Sequence, residues 1–512
     1  MPVRSRQPTG SLVDFLLNFP MKKIFIPVFA LALLASSCEI LDKQPLSSIA
    51  PENFFKSSDD AEAGLTAAYD ALQGTGLYSQ DLVVVGEMPS DNCTSANGDV
   101  INLENFTWNS STSQVYNVYR DSYIGINRAN AVLKYVPTIT MPEARRNQIV
   151  GEARFLRALH FFNLVKLYGG VPLRLEPTEN ATAEVLNLPR ATAEEVYAQV
   201  VADLTAAEPL VATANPTRAN QAAVNALLSR VYLYQRQWSL AQAAAAKALT
   251  SGATMATSFK NLFPANNNAE SLFEVQNAGA ADGNNILPDL LLPSPPATYS
   301  FPKFNIPTLY RPTATAQPTD LTSVVDTIND RRWSFQGNTN AGRDHGSYVD
   351  GGRGTGNDDG PFVYKWPGNP NSFNSPDNTY VLRLGEVYLN YAEAANEQNG
   401  PSADVLSRLN VIRQRAGLAA LTAASPQYAS KQAMRQEIDR QRRLELAFEG
   451  ERWYDLLRYA RHEQADPTAD HATTALDIIR QKRPTADVNY LLFPIPLYEL
   501  NNNPRVQQNA GY

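Results

Sequence analysis

At 512 residues the chain is long enough for two or more hydrophobic cores, or for one extended array of helices. A net charge of −7, with no cluster of lysine and arginine, excludes the basic footprint that a nucleic-acid partner requires. With only Cys38 and Cys93, neither a disulfide framework nor a cysteine-rich metal site can be built.

The first twenty residues read as an extension, and Met21 opens a better start. Lys22 and Lys23 precede an apolar run over 24–35, followed by Ser36, Ser37 and Cys38. A basic segment, a short apolar run and small residues before a cysteine make residues 1–37 a secretory signal. The run is too short to span a membrane, which takes about twenty apolar residues. Small residues ahead of Cys38 resemble a bacterial lipobox, so Cys38 is expected to be lipidated and to become the N-terminus. The alternative is an ordinary cleaved signal with a buried thiol. Cys93 is then a lone thiol, expected to be packed.

Beyond a short tether, a helix is expected over 60–72, with Leu65, Tyr69 and Leu72 on one side. Residues 74–110 read as loop, punctuated by Gly74, Gly76, Pro89 and Gly98. Long helices follow over 113–136 and 152–172. In the second, Phe155, Leu159, Phe162 and Val165 form an apolar band, Arg154, Arg157 and Lys166 suggest a wet flank, and Gly169-Gly170 stops the helix. Thr192 and Glu195 form a capping box before Val196, Val200 and Leu204. Helix pairs over 220–236 with 239–249, and over 383–396 with 403–415, carry tetratricopeptide-type spacings with small alanines at the contact.

Residues 251–379 differ in character. They are rich in proline and glycine, and Tyr299, Tyr310, Trp333, Phe335, Tyr348, Tyr364, Trp366 and Phe373 are scattered among them. Long irregular connections in a compact protein are usually functional or disordered, and this many aromatic rings argues against disorder. An irregular binding lobe is expected, although any one ring has the plainer role of pinning loops onto helices. Gly352–Gly356 is a flexible turn rather than a phosphate loop, and Asp350, Asp358 and Asp359 do not have EF-hand spacing. No metal or cofactor is expected. Over 437–461, apolar residues alternate with charges of both signs. Arginine pairing lowers carboxylate pKa values, which suits a structural network better than acid–base chemistry.

In order along the chain stand CEILDKQP, EARFLRALHFFNLVKLYGGVPL, PRATAEEVYAQVVADL, ALLSRVYLYQRQW, the block from RLGEVYLNYAEAAN to LNVIRQRAGL, RRLELAFEGERWYDLLR and the closing FPIPLYEL to QNAGY. This series resembles the SusD/RagB family of Bacteroidetes outer-membrane lipoproteins. The resemblance implies an all-α fold, a superhelical scaffold of tetratricopeptide-like helix pairs carrying a long irregular lobe. It divides the mature chain into a helical region over 38–250, a lobe over 251–379 and a C-terminal helical region over 380–512. It also implies a lipid-anchored receptor on the outer membrane, facing the cell exterior. That receptor binds a nutrient oligomer, most readily a glycan, and delivers it to a SusC-like TonB-dependent transporter.

No ligand motif transfers residue by residue, so site residues follow from chemistry alone. Sugars offer apolar C–H faces and dense hydroxyls, which favours aromatic platforms flanked by amides and carboxylates. Trp108, Trp333 and Trp366 are expected as platforms, with Asp91, Asn92 and Asn97 as polar contacts. Two alternatives stand beside this reading. One is a protein-interaction scaffold, which the helix pairs would also serve. The other is a surface hydrolase, against which the sequence offers no HExxH, GxSxG or P-loop, although two placed carboxylates would suffice for glycoside hydrolysis.

Overall fold

The computed structural model describes residues 51–512 apart from 93–94, 96, 216, 259–261, 264–265, 292–328, 333–364 and 367–372. The signal segment, Cys38, Cys93, Trp333 and the loop aspartates at 350, 358 and 359 lie outside the described residues. Backbone contacts divide the chain into Met1–Phe54 and Phe55–Tyr512, and the architecture that follows is that of the second unit.

The first helix, α1 (Ser58–Asp70), starts at a capping box in which Ser57 and Asp60 satisfy each other's backbone amides. Next come α2 (Asp81–Glu87), α3 (Ser113–Tyr135), α4 (Glu143–Tyr168) and α5 (Ala193–Ala207), the last capped by Thr192 and Glu195 as expected. The first helix pair is α6 (Gln221–Tyr234) with α7 (Trp238–Leu249), and the second is α8 (Leu384–Asn399) with α9 (Ala403–Arg415). After these come α10 (Lys431–Leu446), α11 (Arg452–Ala465) and α12 (Ala475–Lys482). Neighbouring helices pack in sequence, α3 on α4, α4 on α5 and α6 on α7, and the two pairs join through α7 against α8. Ala241, Ala245 and Ala248 are fully buried on α7, so its backbone approaches its neighbours closely; Leu233, Ala241 and Ala394 meet where α6, α7 and α8 converge. The fold is all-α and tetratricopeptide-like.

Strands β1 (Ser271–Val275) and β2 (Thr379–Arg383) pair antiparallel, with Val275 opposite Thr379. The chain therefore leaves the helical scaffold and returns to it at one place, across a two-stranded ribbon. No helix among the described residues is long and apolar enough to cross a membrane.

Three local expectations need correction. Residues 74–110 are not all loop, since α2 and a short turn at Ile101–Glu104 lie within them. Every residue of α2 is buried, so its sequence shows a continuous apolar run with no polar face from which to read a helical period. The helix expected over 152–172 begins earlier, at Glu143, and its flank is wet only at Arg154, which is half-buried. Arg157 is buried and grips Asp203 on α5 with two bonds of 2.7 and 2.8 Å, while the buried Lys166 ammonium lies 3.7 Å from the centre of the Tyr454 ring. The charged stretch over 437–461 is broken into α10 and α11 by a tight turn in which Phe448 (φ 65°) and Gly450 (φ 81°) are left-handed. That turn presses onto α2, where a Cβ on Gly86 would stand 2.1 Å from the Gly450 carbonyl oxygen.

Candidate functional site

Helix α10 and the turn after it organise both stretches expected to bind ligand. On one side they hold the chain after α2. Arg443 donates to Asn92 Oδ1 at 2.9 Å and pairs with Asp91 at 3.1 Å. Arg452 reaches the other Asp91 oxygen at 2.8 Å, and its Nη1 pairs with Asp439 at 2.7 Å. The Gly450 amide donates to Glu87 Oε1 at 2.9 Å and the Asn92 amide to Glu87 Oε2 at 3.0 Å. Burial opposes the charge on Asp91, yet Arg443 and Arg452 hold its carboxyl below the usual range. Burial pushes the Glu87 carboxyl up to about 7.

On the other side the same helix holds two short pieces of the lobe. Arg383, at the end of β2, pairs with Glu270, Glu445 and Glu449 at 2.9, 2.7 and 2.7 Å. Arg332 is fully buried between Asp330, at 2.7 Å, and Glu445, at 3.4 Å, and its Nη2 also donates to Gln441 at 2.8 Å. Lys365 is fully buried against Glu449 and donates to the Glu445 carbonyl at 3.1 Å. Arg415 closes the cluster on Glu270, at 2.8 Å, and on Glu445. Burial opposes the charge on Glu445, but Arg415, Arg383 and Arg332 hold it well below the usual carboxylate range. These buried arginines and carboxylates neutralise one another and tie the neighbouring chain to α10, so the arrangement is a clamp.

The site residues expected from sequence fare unevenly. Asp91 and Asn92 are inside the clamp, and the structure corrects their assignment from ligand contacts to anchors. Asn97 is 7% exposed, and its side-chain oxygen accepts the Asp99 amide at 2.9 Å, which closes a turn. Trp108 is 3% exposed between Phe106, Trp453 and Phe493, and its indole N–H donates to the Tyr512 hydroxyl at 2.6 Å. It has no open face, because core packing outcompetes solvent for so large an apolar surface. Trp366 is 2% exposed with its edge toward Phe263, beside the buried Lys365, so it too is corrected to an anchor. The structure therefore does not assemble these residues into a binding surface, and Trp333 lies outside the described residues. Among the described residues no cluster of three or more His, Cys, Asp or Glu is placed to hold a metal ion.

Sequence reasoning missed an open feature on α3. Tyr116, Tyr119 and Tyr123, at helical steps of three and four, line a groove of about 370 Å3 together with Tyr498. The step pattern was the available signal, but the same spacing marks any buried helix face.

Two family models match the chain. One, described as the SusD family, covers residues 299–512, and the other, described as starch-binding and associating with the outer membrane, covers 39–233. SusD-like protein P2 of Formosa agariphila is 26% identical, over 96% of this chain and all of that protein. Starch-binding protein SusD of Bacteroides thetaiotaomicron is 26% identical, over 83% of this chain and 84% of its own length. A solved laminarin-binding SusD-like protein superposes with a TM-score of 0.70 at 25% identity, covering 90% of this chain and all of that one. The ordered motifs, the stacked helix pairs and this likeness along almost the whole chain agree: the chain belongs to the SusD/RagB family.

Proposed function

We propose that this protein is a non-enzymatic glycan receptor of the outer membrane, held by a lipid on Cys38 and exposed to the cell exterior. It passes an oligosaccharide to a SusC-like TonB-dependent transporter. The observation that carries this reading is the near end-to-end likeness to a starch-binding and a laminarin-binding protein. The family model described as associating with the outer membrane supports the location. The clamp gives the charged helix a structural rather than a catalytic role, since its carboxylates are committed to arginine.

In this reading the helical regions over 38–250 and 380–512 are scaffold and the lobe over 251–379 binds. Trp333 is its proposed platform, one residue beyond the buried Arg332 that fixes the chain there. If a sugar stacks on the Trp333 indole, Trp333→Ala should weaken polymer binding. Full-length protein in detergent, titrated with laminarin and with starch, is expected to bind one polymer without releasing reducing ends. Turnover would overturn the non-enzymatic assignment, and unchanged affinity in Trp333→Ala would remove Trp333 from the site. If neither polymer bound while a barrel partner co-purified, the protein-interaction alternative would stand instead.

A further inference from the structure

The tyrosine groove lies between α3, the segment around Arg174 to Leu186, and the short helix Leu497–Asn502. No described residue of 251–379 lines it. Its volume of about 370 Å3 falls in the range of roughly 300–1,000 Å3 typical of small-molecule sites. Tyr498 is 62% exposed, with its ring 5.6 Å from that of Tyr116 and inclined at 55°. Nothing in the core calls for so exposed a ring. Ile124 and Leu186, both exposed, extend the apolar wall, and Arg174 fixes that wall by donating to the Val185 and Leu186 carbonyls.

The rim is polar and only partly committed. Asn127 accepts the Thr178 amide at 2.8 Å through its side-chain oxygen, which leaves its amide N–H groups for a ligand. Glu499 accepts Asn503 on one oxygen at 2.9 Å, which leaves the other. Arg120 contacts Asp121 through Nε, and its side chain is 41% exposed. Burial, with Glu499 nearby, pushes up the Tyr119 and Tyr123 phenols, so both stay protonated; the Tyr123 hydroxyl donates to the Pro172 carbonyl at 2.7 Å.

An aromatic face ringed by an amide donor, a carboxylate acceptor and a guanidinium suits a ligand with one C–H face and hydroxyls at its edge. A hydrocarbon would strip water from the rim groups and return no hydrogen bonds, which is costly. An anion would meet Glu499, and of the three arginines that line the groove Arg128 is paired with Asp70 and Arg174 is spent on two carbonyls. We propose that this groove is a second carbohydrate site, binding a neutral pyranose unit against Tyr498 with its hydroxyls toward Asn127, Glu499 and Arg120. The choice of sugar as ligand class rests in part on the glycan-receptor reading, but no described residue of 251–379 is part of the site.

The test is calorimetric titration of the full-length protein in detergent with maltotriose, laminaritriose, cellotriose and xylotriose, paired with crystals soaked in each. At least one trisaccharide is expected to bind, with its ring on Tyr498 in the crystal and its affinity reduced tenfold or more by Tyr498→Ala. Leu240→Ala, an exposed position elsewhere, is expected to change nothing. No binding by any of the four sugars, affinity unaffected by Tyr498→Ala, or binding at crystal concentration only would each overturn the proposal. So would loss of a co-purifying barrel protein in Tyr498→Ala with trisaccharide affinity intact, which would make the face a protein contact. Trisaccharide binding on Tyr498 alongside polymer binding indifferent to Trp333→Ala would sink the lobe assignment and leave the groove standing.

Discussion

The clamp under α10 and the groove on α3 are built from the same kinds of residue, and only one of them has groups left to offer. In the clamp each of the arginines meets a carboxylate, and Trp108 and Trp366 beside it are enclosed. In the groove Tyr498 is open, and Asn127, Arg120 and Glu499 are only half engaged. Residue type therefore does not separate support from contact. The uncommitted face and the spare hydrogen bond do.

The comparison breaks hardest at Glu445. Replacing it with Ala leaves Arg383, Arg415 and Arg332 buried without a shared counter-charge, and breaking a buried pair costs about 3–5 kcal/mol. Chemical denaturation is expected to show a loss at the upper end of that range. A loss under 1 kcal/mol would mean that the clamp is wet. Trp108→Ala is expected to cost about 4 kcal/mol through the cavity it leaves among Phe106, Trp453 and Phe493. At temperatures where the variant stays folded, its sugar affinity should equal that of the parent; a specific loss of affinity would return Trp108 to the site.

A smaller effect depends on pH. His462 Nδ1 and His471 Nε2 stand 3.0 Å apart in a buried pocket against Tyr459, faced by Arg435, Arg458 and Glu397. Burial lowers His462 from an ordinary 6.5 to about 4 and His471 to about 2, with neighbouring arginines adding to the effect. A depressed histidine contributes stability above its unfolded pKa, and that stability is lost as pH falls through the folded value. Thermal midpoints should therefore drop between pH 6.5 and 4, and His471→Gln should flatten that drop. An equal slope in the variant would assign the acid loss elsewhere. The smallest expected change is in Tyr498→Ala, within about 0.5 kcal/mol of the parent by denaturation, because an exposed ring contributes little to folding. A larger loss would mean that the ring serves packing, and the contrast with the clamp would blur.

The scaffold was legible where local physics decides it. The 3.6-residue period, the Thr192 box, the small alanines of α7 and the Gly169 stop all act within a few residues and survive burial. Glu445 and Asp455 were legible as a class, since arginines nearby in sequence already argued for pairing. Their partners were not: Arg383, Glu270 and Lys365 come from far along the chain, and only the fold brings them together. The ligand contacts were misread for a related reason. Trp108 and Trp366 have the chemistry of a sugar platform, but a ring that large also gains most from burial, and sequence does not say which side of a loop faces water. Tyr116, Tyr119 and Tyr123 made the opposite impression, a helical stripe that looks like core and lines an opening.

The ribbon of β1 and β2 has a consequence for how such a protein can diversify. Val275 and Thr379 sit side by side, so everything between them starts and finishes within one strand spacing of about 4.8 Å. Residues added or removed there need shift no helix against another, provided that Leu287, Leu290 and Leu291 keep their place in the core and Arg332 and Lys365 their seats under α10. The segment between the strands can then change in length as freely as in composition, a parenthesis rewritten while the sentence around it stands.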